Sequence, residues 1–301
     1  MKKIAIEEHC NQRDLDILDK RLQDMEEAGI DMQVMSLFLG MGPGTTNAVE
    51  AVSLIKTTND TLAEVVAKYP DKFAGYTTLA LEDPEASAIE LERAVTQLGL
   101  KGPLIFVGQG GVYVDEERNW PIFETAARLD VPVYLHPGML LPDMREPYMT
   151  YPILSMAMWG FAAVTGLHAM RLMCSGIFDK YPDLRIILGH MGEGIPFWMW
   201  RMDKHYETDM PIAGKDLPGS RLQKKPSQYF LENYYITTSG MYWPPVLQFV
   251  NSVVGPDRIL FAADYPPESA LEASRFIEDA PLDPEDKEKI CHLNAERIFR
   301  L

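Results

Sequence analysis

Cysteine, basic residues and long apolar runs are all scarce in this chain. Three cysteines occur among 301 residues: Cys10, Cys174 and Cys291. They are too few and too far apart to frame a disulfide scaffold or a Cys-based zinc site, so reduced thiols and a cytoplasmic setting are expected. Lysine and arginine total 28 against 44 acidic residues, a net charge of −16. Such a chain repels phosphate backbones and anionic lipid, which argues against nucleic-acid and membrane partners. No uninterrupted apolar run approaches the roughly 20 residues of a spanning helix. Met1-Lys2-Lys3 leads straight into Ile4-Ala5-Ile6-Glu7-Glu8-His9, whose acids come too early for a signal-peptide core. Low-complexity segments and a Pro/Gly/Ser-rich linker are also missing. The loosest stretch, Met210 to Pro226, still holds Ile212, Leu217 and Leu222, and reads as a loop inside one domain spanning residues 1–301.

What is present is a globular composition, 47% hydrophobic and 10% aromatic. Short, nearly continuous apolar runs recur at Lys3–Glu7, Gln33–Phe38, Phe73–Leu79, Leu104–Val107, Val131–Leu135, Arg185–Leu188, Tyr234–Thr237 and Arg258–Ala262. Runs of this kind suit strands buried on both faces. Helix-like stretches lie between them: Leu15–Gly29, Ala48–Tyr69, one opened by Asp83-Pro84-Glu85, Trp120–Leu129, about Ala157 to Tyr181, Pro244–Val254 and Asp283 to Phe299. This alternation predicts a (β/α)₈ TIM barrel. A doubly wound open sheet would want a Gly-rich phosphate turn after its first strand, where this chain has Glu-Glu-His-Cys-Asn. Gly108-Gln109-Gly110-Gly111 lacks the rest of that fingerprint and reads as a flexible loop.

In a barrel, chemistry gathers at the C-terminal ends of the strands. The chain has six histidines. Three of them, His9, His136 and His190, stand at such ends, with Glu7 before the first and Asp264 past the last strand. Alternation puts Glu7 and His9 on one face of their strand and Glu8 on the other. Glu7, His9, His136 and Asp264 would then converge at one mouth, a carboxylate–imidazole set suited to zinc, manganese or iron. His168, His205 and His292 fall in helical stretches and read as structural or solvated. The methionines at 156, 158, 170 and 173 read as core or interface filler.

These segments resemble the amidohydrolase superfamily, and within it the metal-dependent γ-resorcylate and 2,3-dihydroxybenzoate decarboxylases. The resemblance runs through Lys3–His9, Val131–Pro137, Leu172–Asp179, Ile187–Glu193, Met199–Asp203, Ile236–Gly240, Arg258–Phe261 and Asp264-Tyr265-Pro266. It implies one divalent metal, zinc or manganese ahead of magnesium, held by Glu7, His9, His136 and Asp264. It implies a coupled His190–Glu193 pair beside the metal, and Arg201 on a substrate carboxylate. It also implies a homodimer or homotetramer. Two-metal hydrolases of the superfamily carry a carboxylated lysine at the fourth strand. Leu104-Ile105-Phe106-Val107 has none.

The resemblance departs at the pocket. Cys10-Asn11-Gln12-Arg13 runs almost directly into a helix where relatives carry an aromatic insert. Pro137-Gly138 replaces a common Pro-Arg, and Tyr265-Pro266-Pro267 replaces Trp-Pro-Phe. The expected activity is metal-dependent, non-oxidative decarboxylation of a small, hydroxylated aromatic carboxylic acid. Asp264 would donate a proton to the ring, kept protonated by burial and by Glu7. The alternative is a hydrolase of a lactone or amide that uses the same site to activate water. A barrel that has lost catalysis is the third reading, and the complete ligand set opposes it.

Overall fold

The structure is a computed structural model that describes residues 1–11, 18–39, 47–213, 219 and 222–301, and no side chains for 210–213. Gln12, Arg13 and the first residues of the Leu15–Gly29 helix lie outside the described residues. So do residues 214–218, 220 and 221 of the Met210–Pro226 loop.

Among the described residues nine strands follow in chain order: β1 (Ile4–Cys10), β2 (Met32–Leu37), β3 (Phe73–Gly75), β4 (Thr77–Thr78), β5 (Pro103–Phe106), β6 (Val133–His136), β7 (Ile186–Leu188), β8 (Tyr234–Thr237) and β9 (Ile259–Leu260). Hydrogen-bonded neighbours are consecutive and parallel throughout. β3 and β4 are two halves of one barrel strand. They part at Tyr76, whose N–H still pairs with Met35 O at 2.8 Å. The ring closes where Ile6 N–H meets Phe261 O at 3.1 Å and Glu8 bridges Tyr265. The result is the expected (β/α)₈ barrel.

Helices cover the outside. α1 (Leu18–Ala28) follows β1, α2 (Ala48–Lys68) follows β2, α3 (Pro84–Thr96) follows β4 and α4 (Trp120–Leu129) follows β5. α5 (Gly160–Ser175) and the short α6 (Ile177–Lys180) follow β6, while α7 (Ile195–Ala213) and α8 (Pro226–Asn233) follow β7. α9 (Pro244–Val254), α10 (Ala270–Asp279), α11 (Pro284–Glu288) and α12 (Asn294–Phe299) complete the chain. Asp83 caps α3 as its position suggests, accepting from Ala86 N–H at 3.0 Å. The barrel interior holds Ile4, Ile6, Val34, Tyr76, Leu104, Tyr134, Ile187 and Leu260, with Ile298 and Phe299 of α12 packed against them.

Several sequence expectations change. The long helix from Ala157 to Tyr181 starts at Gly160 and breaks at Gly176, whose φ of 84° is left-handed. Helix runs on to Ala213, so the following loop begins later than Met210. The Gly108–Gly111 loop is an ordered turn: Gln109 is buried and its Nε2 donates to Leu79 O at 3.1 Å. Pro152–Ser175 is long and apolar enough by composition to cross a membrane, with a mean hydropathy of 1.4. It divides into a 3₁₀ turn and α5, and α5 packs Val164, Ala169, Leu172 and Met173 into the core.

One irregularity sets up the site. Ala5 pairs with Gln33 and Glu8 with Met35, three steps along β1 against two along β2. This bulge switches the inward parity of β1. Below it Ile4 and Ile6 face the barrel interior. Above it the odd residues Glu7 and His9 take that direction.

Candidate metal centre and active site

Four side chains converge at the C-terminal mouth of the barrel. Glu7 and His9 come from β1, His136 ends β6, and Asp264 stands just past β9. One ligand atom from each lies within 4.8 Å of the other three. Glu7 is fully buried and His9 is 7% exposed. Three atoms of the set, Glu7 Oε1, His9 Nε2 and His136 Nε2, are buried without a hydrogen-bond partner. Buried polar atoms are almost always partnered, so three orphans aimed at one point fit a cation there.

The ligands are oriented from behind. His136 Nδ1 donates to Pro137 O at 2.8 Å, which leaves Nε2 with a free lone pair. His9 Nδ1 pairs with Ser36 Oγ at 2.6 Å. Glu7 Oε2 accepts from Thr237 Oγ1 at 2.9 Å and from Ser239 Oγ. Ser36, Thr237 and Ser239 escaped the sequence reading. Their one signal was position, since each stands at or just beyond a strand end.

His190 sits beside this group in an unusual turn. His190, Met191, Gly192, Glu193 and Gly194 all have positive φ, between 49° and 82°. The turn folds Glu193 back so that its Oε1 lies 2.8 Å from His190 Nδ1. His190 Nε2 then points at the ligands, 3.6 Å from Asp264 Oδ2 and 3.9 Å from Glu7 Oε1.

Burial opposes a charge on His190, but the Glu193 and Glu7 carboxylates and the bonds to Asp264 and Glu193 raise its pKa well above the ordinary imidazole range. Burial pushes His136 well below that range, and the neighbouring His9 adds to the effect. Burial also raises Glu7. Asp264 goes the other way: burial favours its neutral form, yet the His190 and His9 imidazoles that face it hold it low. The expectation of a protonated Asp264 therefore changes. Its carboxylate faces imidazoles at close range, including His9 Nε2 at 3.1 Å.

Above the centre opens a cavity of about 540 Å³. Phe38, Phe106, Phe161, Met158 and Met241 supply apolar walls, and Pro266 and Glu268 line it on the β9 side.

A model of the amidohydrolase family matches residues 6–301. The chain belongs to the amidohydrolase family. It is 40% identical over 293 residues to a γ-resorcylate decarboxylase of Polaromonas sp., covering 95% of this chain and 88% of that one. A crystal structure of 2,6-dihydroxybenzoate decarboxylase with 2,6-dihydroxybenzoate superposes with a TM-score of 0.91 at 35% identity, over 100% of both chains. A dihydroxybenzoic acid decarboxylase from Polaromonas sp., with bound manganese and 2-nitroresorcinol, gives a TM-score of 0.89 at 37% identity, over 100% of this chain and 97% of that one.

In this amidohydrolase the structure brings together Glu7, His9, His136, His190, Glu193 and Asp264. Arg201 lies apart, exposed on α7 and outside the residues that line the cavity. Gly138 explains one departure from the expected pocket. A Cβ there would fall 1.9 Å from the Val107 carbonyl oxygen, so this backbone leaves no room for a side chain.

Proposed function

We propose that this amidohydrolase is a metal-dependent, non-oxidative decarboxylase of a small hydroxylated aromatic acid. The observation that carries the reading is the set of orphaned donor atoms on Glu7, His9 and His136 beneath an aromatic-walled cavity. Glu7, His9, His136 and Asp264 would hold one divalent ion, which would supply positive charge to an ortho-hydroxy carboxylate. Two imidazoles favour zinc or manganese over magnesium. The substrate that names the relatives, γ-resorcylate or 2,6-dihydroxybenzoate, sets the chemical class.

The chain's own residues handle the ring and the proton. Phe38, Phe106 and Phe161 sandwich an aromatic ring and exclude water. His190 Nε2 delivers its proton to Asp264 Oδ2, and Asp264 passes it to the ring carbon that bears the carboxylate. The bond to the carboxylate then breaks, its electrons restore aromaticity, and carbon dioxide leaves. Protonation first avoids an aryl carbanion. Glu193 keeps the His190 ring aimed and reprotonated. This route leaves Arg201 out of the cavity of its own chain.

The test is a panel of hydroxybenzoates incubated with manganese- and zinc-loaded enzyme, followed by carbon dioxide release. Asp264→Asn should retain some metal and lose at least roughly 100-fold in turnover. Full turnover by that variant removes Asp264 from the proton path. Release of an alcohol or amine without carbon dioxide would point instead to hydrolysis.

A homo-oligomer is proposed on separate grounds. α7 leaves Phe197, Trp198 and Trp200 exposed at 72%, 52% and 77%, and Phe249 packs against Phe197. Apolar patches of this kind mark contact sites. Light scattering should give two or four subunits, and Trp200→Glu should lower that number.

A further inference from the structure

Glu8 belongs to neither the metal set nor the cavity lining, yet it is fully buried on the opposite face of β1. Its two carboxylate oxygens accept two backbone N–H groups. Oε1 takes Ala263 N–H at 2.9 Å and Oε2 takes Tyr265 N–H at 3.1 Å. These two residues flank Asp264. The N–H of Asp264 itself goes to Glu7 O at 2.9 Å, and Tyr265 O accepts from His9 N–H at 2.7 Å. Three consecutive residues of β1 thus grip three consecutive residues past β9.

Asp264 needs such a grip. Its φ of 62° is left-handed, a conformation that a residue with a Cβ holds only under restraint. The grip is itself backed by a buried shell. Gln33 Nε2 donates to Glu8 Oε2 at 3.4 Å, and Arg21 Nη1 donates to Gln33 Oε1 at 2.8 Å. Arg21 Nη2 donates to His9 O, and its guanidinium lies 4.7 Å over the Tyr265 ring. One shell therefore touches the backbone of one proposed ligand, His9, and of both residues that flank another, Asp264.

We propose that Glu8 is a positioning residue for the metal centre: by clasping the backbone on both sides of Asp264, it fixes that carboxylate in its ligating pose before any ion arrives. A carboxylate present only for stability could satisfy any buried donors. Glu8 spends both oxygens on the flanks of one ligand. The inference rests on the metal centre proposed above.

The experiment measures Mn²⁺ affinity by calorimetry on chelator-stripped protein, beside its unfolding temperature. Glu8→Gln keeps the size but replaces one acceptor with an amide donor. It should weaken Mn²⁺ binding by about 10–100-fold, the usual cost of losing a ligand's support. Glu90→Gln alters another fully buried carboxylate, on α3 and bonded to Asn59 and Arg93, and should stay within about twofold of wild type. In wild-type protein the Ala263 and Tyr265 amides should resist hydrogen exchange before Mn²⁺ is added. An unchanged affinity in Glu8→Gln overturns the proposal, even if its unfolding temperature falls. Should that variant not fold, free exchange of those amides in stripped wild-type protein overturns it equally. A wild-type protein that binds neither Mn²⁺ nor Zn²⁺ overturns the metal centre itself, which is a separate failure.

Discussion

Replacing Glu193 with glutamine should move the alkaline limb of the turnover profile to lower pH. Glu193 is buried, and its Oε1 lies 2.8 Å from His190 Nδ1. Its carboxylate is one of the groups that raise the His190 pKa, acting against burial. The proposed route needs His190 charged, so activity persists until pH climbs past that raised value. Losing a charge-assisted bond of about 1.5–3 kcal/mol lowers the value. At about 1.4 kcal/mol per pH unit, the limb should shift down by roughly 1–2 units. Glu7 and Asp264 still support His190, so the profile should slide rather than vanish. The assay is kcat against pH for the manganese-loaded enzyme and Glu193→Gln, read as carbon dioxide release. A variant with lower kcat but an unmoved limb would refute the assignment of the proton to His190. A limb that moved up would do so more strongly.

Three further outcomes are expected. Chelation should abolish turnover reversibly, and Mn²⁺ restored at about 100 times its dissociation constant should add about 2.7 kcal/mol of stability, read as a rise in Tm. Gly138→Ala should cost about 1–3 kcal/mol in urea unfolding, because the added Cβ meets the Val107 carbonyl. Burial, with Arg171 nearby, lowers His168 from its ordinary 6.5 to about 4, so the unfolded chain binds the extra proton first as pH falls. Stability should therefore drop by about 3 kcal/mol between pH 6.5 and 4, and His168→Phe should flatten that slope.

The barrel was legible because parallel strands buried on both faces leave near-continuous apolar runs. Tyr234–Thr237 and Trp120–Leu129 match the structure residue for residue. The ligands were legible because polar residues at strand ends stand out against those runs. Other features depend on partners that the local pattern does not name. The bulge in β1 is a mismatch with β2, and nothing in Ile6-Glu7 announces it. Simple alternation placed Glu7 and His9 together and Glu8 opposite, but it could not say that Glu8 would reach the far end of the chain. The surroundings of Asp264 were only partly legible for a similar reason. Sequence put carboxylates near it, whereas the fold turns imidazoles toward it. Gly176 was read through because helix-forming residues flank it on both sides. α8 is short and gave no clear helical signal, whereas α10 carries a stripe of Ala270, Ala273, Phe276 and Ile277 that the reading passed over.

The left-handed turn from His190 to Gly194 has a consequence for engineering. Three of its residues, His190, Met191 and Glu193, carry side chains where glycine would be comfortable. Each costs the fold about 1–2 kcal/mol, against a typical net stability of about 5–15 kcal/mol. A laboratory population selected for heat tolerance alone would therefore tend to accumulate glycine across this turn. At His190 and Glu193 such a gain would take away the group that holds the proton or the one that aims it. Screens for a hardier enzyme should score turnover in the same round, since at this turn the most accessible route to robustness runs through loss of function.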